Sequence, residues 1–192
     1  MKRILFTIVG LFGLFSLSSC GYNTLVSLDE QVQGQWAQVQ NVYQRRQDLI
    51  PNLVNTVKGA ANFEKETLTQ VIEARAKATS VNIDPDKLTP ENIQKFQNAQ
   101  GELSTALGRL MVVSEQYPQL KANANFQELQ AEIAGTENRI ANERRKFNEL
   151  TQQYNSKIRS FPNNLTAGMF GFEKKGYFQA EAGAEKPPKV EF

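Results

Sequence analysis

The sequence predicts an all-α protein: an antiparallel bundle of about four long helices, followed by an irregular, aromatic C-terminal tail. Three observations predict it. Apolar residues recur at steps of three and four through most of residues 25–161, the spacing of one helix face. No stretch alternates apolar and polar residues as a half-buried strand does. Starting and stopping residues punctuate the pattern at Gly59, Thr89-Pro90 and Pro162. An extended coiled-coil hairpin is the nearest alternative, because the stripes approach a heptad spacing.

Residues 1–19 read as a lipoprotein-type signal peptide. Lys2 and Arg3 precede an apolar run from Ile4 to Leu17, and Ser18-Ser19-Cys20 follows. At about 1.5 Å per residue the run reaches only ~21 Å, short of a ~30 Å hydrocarbon core. That length with a basic start suits a signal-peptide core. Leu17-Ser18-Ser19-Cys20 resembles a bacterial lipobox, in which the Cys is acylated (palmitate or a similar chain) and becomes the new N-terminus. Cys20 is the only cysteine, so no intramolecular disulfide claims it. An uncleaved anchor, or cleavage to a soluble form with an ordinary thiol, are the other two outcomes. All three put the body outside the cytoplasmic face. Residues 20–24 then form the lipidated N-terminus and a short linker, and residues 25–161 the bundle.

The first helix carries Leu25, Leu28, Val32, Trp36, Val39, Tyr43, Ile50, Leu53 and Val57 on one stripe, with glutamines filling the other faces. Pro51 lacks an N–H and predicts a kink or brief break, and Gly59 the end. A second helix is expected from about Asn62 to Ala78, with Phe63, Leu68, Val71, Ile72 and Arg75 inward; its continuity with the first stays open. Ser80 to Pro90 has loop chemistry in Asn82, Asp84, Pro85 and Asp86. Thr89-Pro90-Glu91 caps and opens a third helix, with Ile93, Phe96, Leu103, Leu107, Leu110, Met111 and Tyr117 inward and Pro118 at its end. The last helix is expected from Asn125, with Glu128 completing a capping box. Its stripe is Phe126, Leu129, Ile133, Ile140, Phe147, Leu150, Tyr154 and Ile158.

The tail, residues 162–192, mixes Phe170, Phe172, Tyr177, Phe178 and Phe192 with glycines and Pro187-Pro188. So many aromatics oppose simple disorder. Leu165 to Phe178 is expected to fold back over one bundle end, either as a plug or as an exposed docking patch.

Composition excludes several functions. The chain holds 22 Lys+Arg against 20 Asp+Glu, and loss of Lys2 and Arg3 with the leader leaves the body neutral. It therefore has no basic footprint for nucleic acid. Histidine is absent, which removes the usual general base and the commonest metal ligand. No cofactor is expected, and no Asp-rich calcium loop occurs.

The candidate polar cluster is Arg45, Arg46, Glu137, Arg139 and Arg145, with Arg144 beside it. Ion pairs that set helix register are one reading; an anion pocket for a phospholipid headgroup or a peptide carboxylate is a second, and exposed charge with no role a third. Glu64 and Glu66 are two apart on a helix and do not face each other, so they form no acid–base pair. Gly168-Met169-Phe170-Gly171 lacks the spacing and the basic residue of a phosphate loop.

Longer strings carry a resemblance. Arg45-Arg46-Gln47-Asp48-Leu49-Ile50-Pro51-Asn52-Leu53-Val54 is similar to the hallmark of the LemA family, as are Val57-Lys58-Gly59, Glu64-Lys65-Glu66-Thr67-Leu68 and Glu73-Ala74-Arg75-Ala76. Gly135-Thr136-Glu137-Asn138-Arg139-Ile140, Tyr154-Asn155, Phe161-Pro162-Asn163-Asn164, Gly168-Met169-Phe170-Gly171-Phe172 and the ending Tyr177-Phe178 to Phe192 extend it over residues 22–192. The resemblance implies a membrane-attached helical bundle outside the cytoplasmic membrane, with no enzymatic activity to carry over and a TPM-domain membrane protein as partner class. Family members usually keep an N-terminal transmembrane helix; the lipobox here is a departure. The expected role is a non-enzymatic interaction or scaffold protein of the bacterial envelope, anchored to the membrane by lipid. The alternative is an accessory or hydrolytic enzyme component built on the Arg/Glu cluster. With two membranes, Gly21 after Cys20 favours the outer one.

Overall fold

In the computed structural model, residues 2–59 and 63–180 are described, with side chains from Gly21 onward. The described residues are helical and irregular, with no strand. Helix α1 spans Lys2–Lys58, α2 Lys65–Ser80, α3 Pro90–Ser114, α4 Pro118–Lys121, α5 Ala124–Arg159 and α6 Asn163–Phe170. A 3-10 turn, Pro85–Lys87, interrupts the loop between α2 and α3. The predicted helical bundle is therefore present, with α1, α2, α3 and α5 as its long members.

Contacts set the directions. Gln35 meets Glu143 while Arg45 meets Glu132, so α1 and α5 run antiparallel. Phe63 meets Tyr117 while Lys77 meets Glu102, so α2 and α3 do too. Their lengths differ. At about 1.5 Å per residue, α5 reaches ~54 Å and α2 only ~24 Å. Four helices thus surround the core at one end only, where Leu53, Val57, Val71, Leu110 and Phe126 pack together. At the other end only the start of α3, with Ile93 and Phe96, reaches α1 and α5. There Ile83 and Leu88 from the loop, Ala167 from α6 and Phe178 from the tail complete a second core around Trp36 and Phe147.

Most stripes face inward as expected. Leu25, Val32, Trp36, Val39, Tyr43, Ile50, Leu53 and Val57 are all buried. Helix α1 passes through Pro51 without a break and ends beside Gly59. It also continues through residues 21–24, which we expected as a linker.

Several boundaries need correcting. Helix α2 begins at Lys65 and ends at Ser80, and Ile72 faces solvent. Thr67, Ala74 and Ala78 share the inner face with Leu68 and Val71 instead; Ile72 lies about 100° round from Val71. Thr89 caps α3 as predicted, accepting from the Asn92 N–H, but α3 ends at Ser114. Pro118 opens the short α4 rather than closing α3, which suits a ring whose missing N–H costs nothing at a first turn. The α5 cap is Asn123, not Asn125: its Oδ1 accepts from the backbone N–H groups of Asn125 and Phe126.

The tail is not irregular throughout, because Asn163–Phe170 forms α6. Gly171 then takes a left-handed conformation, φ 73°, which ends the helix at no Cβ cost. The chain next runs back along the bundle as an extended strap, residues 172–180. It thus covers one end and continues along the side. Phe192 and Pro187-Pro188 lie outside the described residues.

Candidate functional site

Between the two apolar cores lies a polar layer. Arg46 projects into it from α1 and is 1 % exposed. Its Nη1 donates to Ser104 Oγ at 2.7 Å and to Glu137 Oε1 at 2.6 Å. Its Nη2 donates to Gln100 Oε1 at 2.7 Å and to the Gln100 carbonyl at 3.3 Å. The Tyr43 ring lies 5.1 Å from the guanidinium carbon, within cation–π range. Gln100 in turn donates to the Ala78 carbonyl at 3.2 Å. One side chain, helped by one amide, therefore ties α1, α2, α3 and α5 together.

Charge in this layer is only half sealed. Glu137 is 40 % exposed at the mouth of a cleft of about 570 Å³ whose walls also carry Gln97, Glu102 and Arg144. The carboxylates of Glu102 and Glu137 on those walls oppose an anion, and Arg46 already spends both its Nη groups on protein acceptors. Among its nitrogens only Nε is without a partner.

The other predicted members do not converge. Arg45 is exposed and pairs with Glu132. Arg145 is exposed and pairs with Glu149 at 2.7 Å, one turn along α5. Arg139 is exposed on α5. Arg144 donates to the Gln179 carbonyl at 2.8 Å and covers the Phe178 ring at 4.9 Å. The cluster of adjacent charges thus separates into one buried pair, Arg46–Glu137, and a set of surface contacts. The Cys20 side chain lies outside the described residues.

A second polar arrangement was not read from the sequence: three side-chain amides hold the strap. Asn155 accepts from the Lys175 N–H at 3.0 Å and donates to its carbonyl at 2.9 Å. Asn148 does the same for Phe178, at 2.9 and 2.8 Å. Gln97 does it for Gln179, at 2.9 Å both ways. Each amide presents one donor and one acceptor, as a neighbouring strand would. Lys175, 7 % exposed, reaches Asp29 Oδ1 at 2.8 Å and lies 5.3 Å from the Tyr154 ring centre. Burial, with the Asp29 and Glu173 carboxylates nearby, pushes the Tyr154 phenol well above the usual tyrosine range.

A sequence signal for Arg46 did exist. Leu25, Val32, Val39, Arg46 and Leu53 stand seven apart, so Arg46 occupies a core position of the heptad. The amide ladder had no such signal beyond the Tyr154-Asn155 string.

These features define a class: a long-helix bundle with a buried ionic layer, closed along one side by its own C-terminal strap. The chain belongs to the LemA family, whose model matches residues 35–192. It is 30 % identical over 158 residues to Protein LemA of Metamycoplasma hominis, covering 82 % of this chain and 68 % of that one. It is 27 % identical over 183 residues to Magnetosome protein MamQ 2 of Paramagnetospirillum magneticum, covering 86 % of this chain and 67 % of that one. Magnetosome protein MamQ of Magnetospirillum gryphiswaldense is 26 % identical over the same length and shares.

Proposed function

We propose that this LemA-family chain is a lipid-anchored, extracytoplasmic scaffold or interaction protein of the bacterial envelope, and not an enzyme. The observation that carries it is the fate of the predicted Arg/Glu cluster. Arg46 and Glu137 bond to each other and to neighbouring helices, while the remaining arginines scatter over the surface. That arrangement sets register: the adjoining cleft is lined by Glu102 and Glu137, but Glu102 pairs with Lys77 and Glu137 with Arg46, so both acids are engaged by the protein's own cations. The lipobox supports the anchor, and the family resemblance supports a TPM-domain membrane protein as partner class.

Intact-mass measurement on protein purified from membranes tests the anchor. The expected species begins at acylated Cys20, and Cys20→Ser retains the leader unmodified. A wild-type chain with a free, unprocessed N-terminus would overturn lipid anchoring. Crosslinking in intact envelopes tests the partner, with a TPM-domain protein as the expected conjugate. Hydrolytic turnover that disappears in Glu137→Gln while the fold persists would overturn the scaffold reading.

A further inference from the structure

Helix α6 is built inside out. It buries Asn163 and Ala167 and turns Leu165, Met169 and Phe170 to solvent. Leu165 and Met169 stand four apart on α6 and share its outer face, and Phe161 is exposed in the turn just before the helix. Phe161 is 81 % and Met169 80 % exposed. With Tyr22, whose ring meets Phe170 at 4.7 Å, they make five of the seven exposed large apolar side chains among the described residues. Large rings and a thioether left in water over one helix face mark a surface that something else covers.

The position of α6 says what covers it. The helix seats on the start of the body: a Cβ at Gly21 would lie 2.8 Å from Asn163 Oδ1. The apolar run Ile4–Leu17 and Cys20 immediately precede that residue. Whether the leader is retained or replaced by acyl chains on Cys20, the membrane surface lies at this end. Lys157 and Arg159 stand in the last turn of α5, just before Phe161, and Lys174 shares a hollow with Phe170 that Asp29, Asp86 and Glu173 also line. Basic side chains beside an outward apolar face are the pattern of a helix lying in a bilayer interface. We infer that the α6 face, Phe161, Leu165, Met169 and Phe170, inserts into the lipid surface and holds the bundle at a fixed orientation on the membrane. A patch without this function would need another cover at the same end.

This inference rests on the membrane attachment proposed above, and the test separates the two. Full-length protein from membranes is reconstituted into vesicles of phosphatidylethanolamine and phosphatidylglycerol. Met169→Trp is compared with Val112→Trp, an exposed site on α3 in the part of the bundle away from α6. Both retain the buried Trp36 as common background. Lipids brominated in the acyl chain should quench Met169→Trp clearly more than Val112→Trp, with a blue-shifted emission. Equal quenching at the two sites overturns lipid docking by α6. A blue shift at Met169→Trp without quenching also overturns it, and assigns the face to protein instead. A chain that does not float with the vesicles overturns attachment and docking together; one that floats with position 169 unquenched overturns docking alone.

Discussion

Asn155 grips the backbone of Lys175 at both its polar atoms, receiving the N–H at 3.0 Å and donating to the carbonyl at 2.9 Å. The contact is buried, so water does not replace it. With Asn148, also on α5, and Gln97 on α3, it forms a template for an extended segment.

Asn155→Ala should therefore destabilise the protein by about 1–3 kcal/mol, because it strands two buried backbone groups. Hydrogen exchange should show the Lys175 amide losing protection before the α1 amides do. Asn155→Asp keeps an acceptor but sets an anion against the Lys175 carbonyl, and should not rescue. Unchanged protection in Asn155→Ala would show that the strap is held by its side chains alone.

Phe178 is the strap's apolar anchor. It lies 6.1 Å from Trp36 and 5.5 Å from Phe147, centroid to centroid, within the second core. Phe178→Ala should cost roughly 3–5 kcal/mol, close to the value for Phe147→Ala. Deleting the chain after Asn164 should lower the melting temperature as well, since the tail is part of the core. Urea denaturation measures each.

Gly176 passes so near α3 that a Cβ would lie 2.7 Å from Pro90 Cα and 2.9 Å from the Thr89 carbonyl oxygen. Both neighbours are backbone. Gly176→Ala should cost about 1–3 kcal/mol and weaken the Gly176 N–H bond to the Leu88 carbonyl, now 2.8 Å. The amide temperature coefficient of residue 176 reads that bond directly.

Arg46 and Glu137 should respond unequally to truncation. Glu137→Ala leaves a buried guanidinium short of its counter-charge, whereas Arg46→Met leaves a carboxylate that reaches water at the cleft mouth. Removing the acid should be the more damaging change, by about 1–2 kcal/mol, since the pair is only partly sealed from solvent. Equal losses in urea denaturation would argue against a buried, unbalanced cation.

Tyr154 predicts alkaline sensitivity. Its folded pKa is raised, so between the unfolded value, near 10, and the folded one the native state holds a proton that the unfolded state releases. Stability is whole below pH 10 and falls as pH rises above it. Tyr154→Phe should lose the 3.0 Å bond to the Glu173 carbonyl, about 0.5–1.5 kcal/mol at neutral pH, yet decline less steeply above pH 10. Melting temperatures across that range compare the two slopes.

The sequence by itself determined the helical class, the inward stripes, the cap at Thr89 and the family. These rest on local rules: a 3.6-residue period and capping chemistry act within a turn or two of their own residues. Even Arg46 stands at a heptad core position, in keeping with the inter-helix ion pair expected for it. Tertiary structure alone decided that Arg46 meets Glu137 while Arg139 and Arg145 stay outside. It also decided that the aromatic tail becomes α6 and a strap, and that α6 turns its large residues outward. The physical reason is length mismatch and distance. Helices α2 and α3 leave one end of α1 and α5 partly uncovered, and only the folded geometry shows that gap. Asn148, Asn155 and Gln97 bond equally well to water or to a distant backbone, so nothing in their local sequence marks which they will choose.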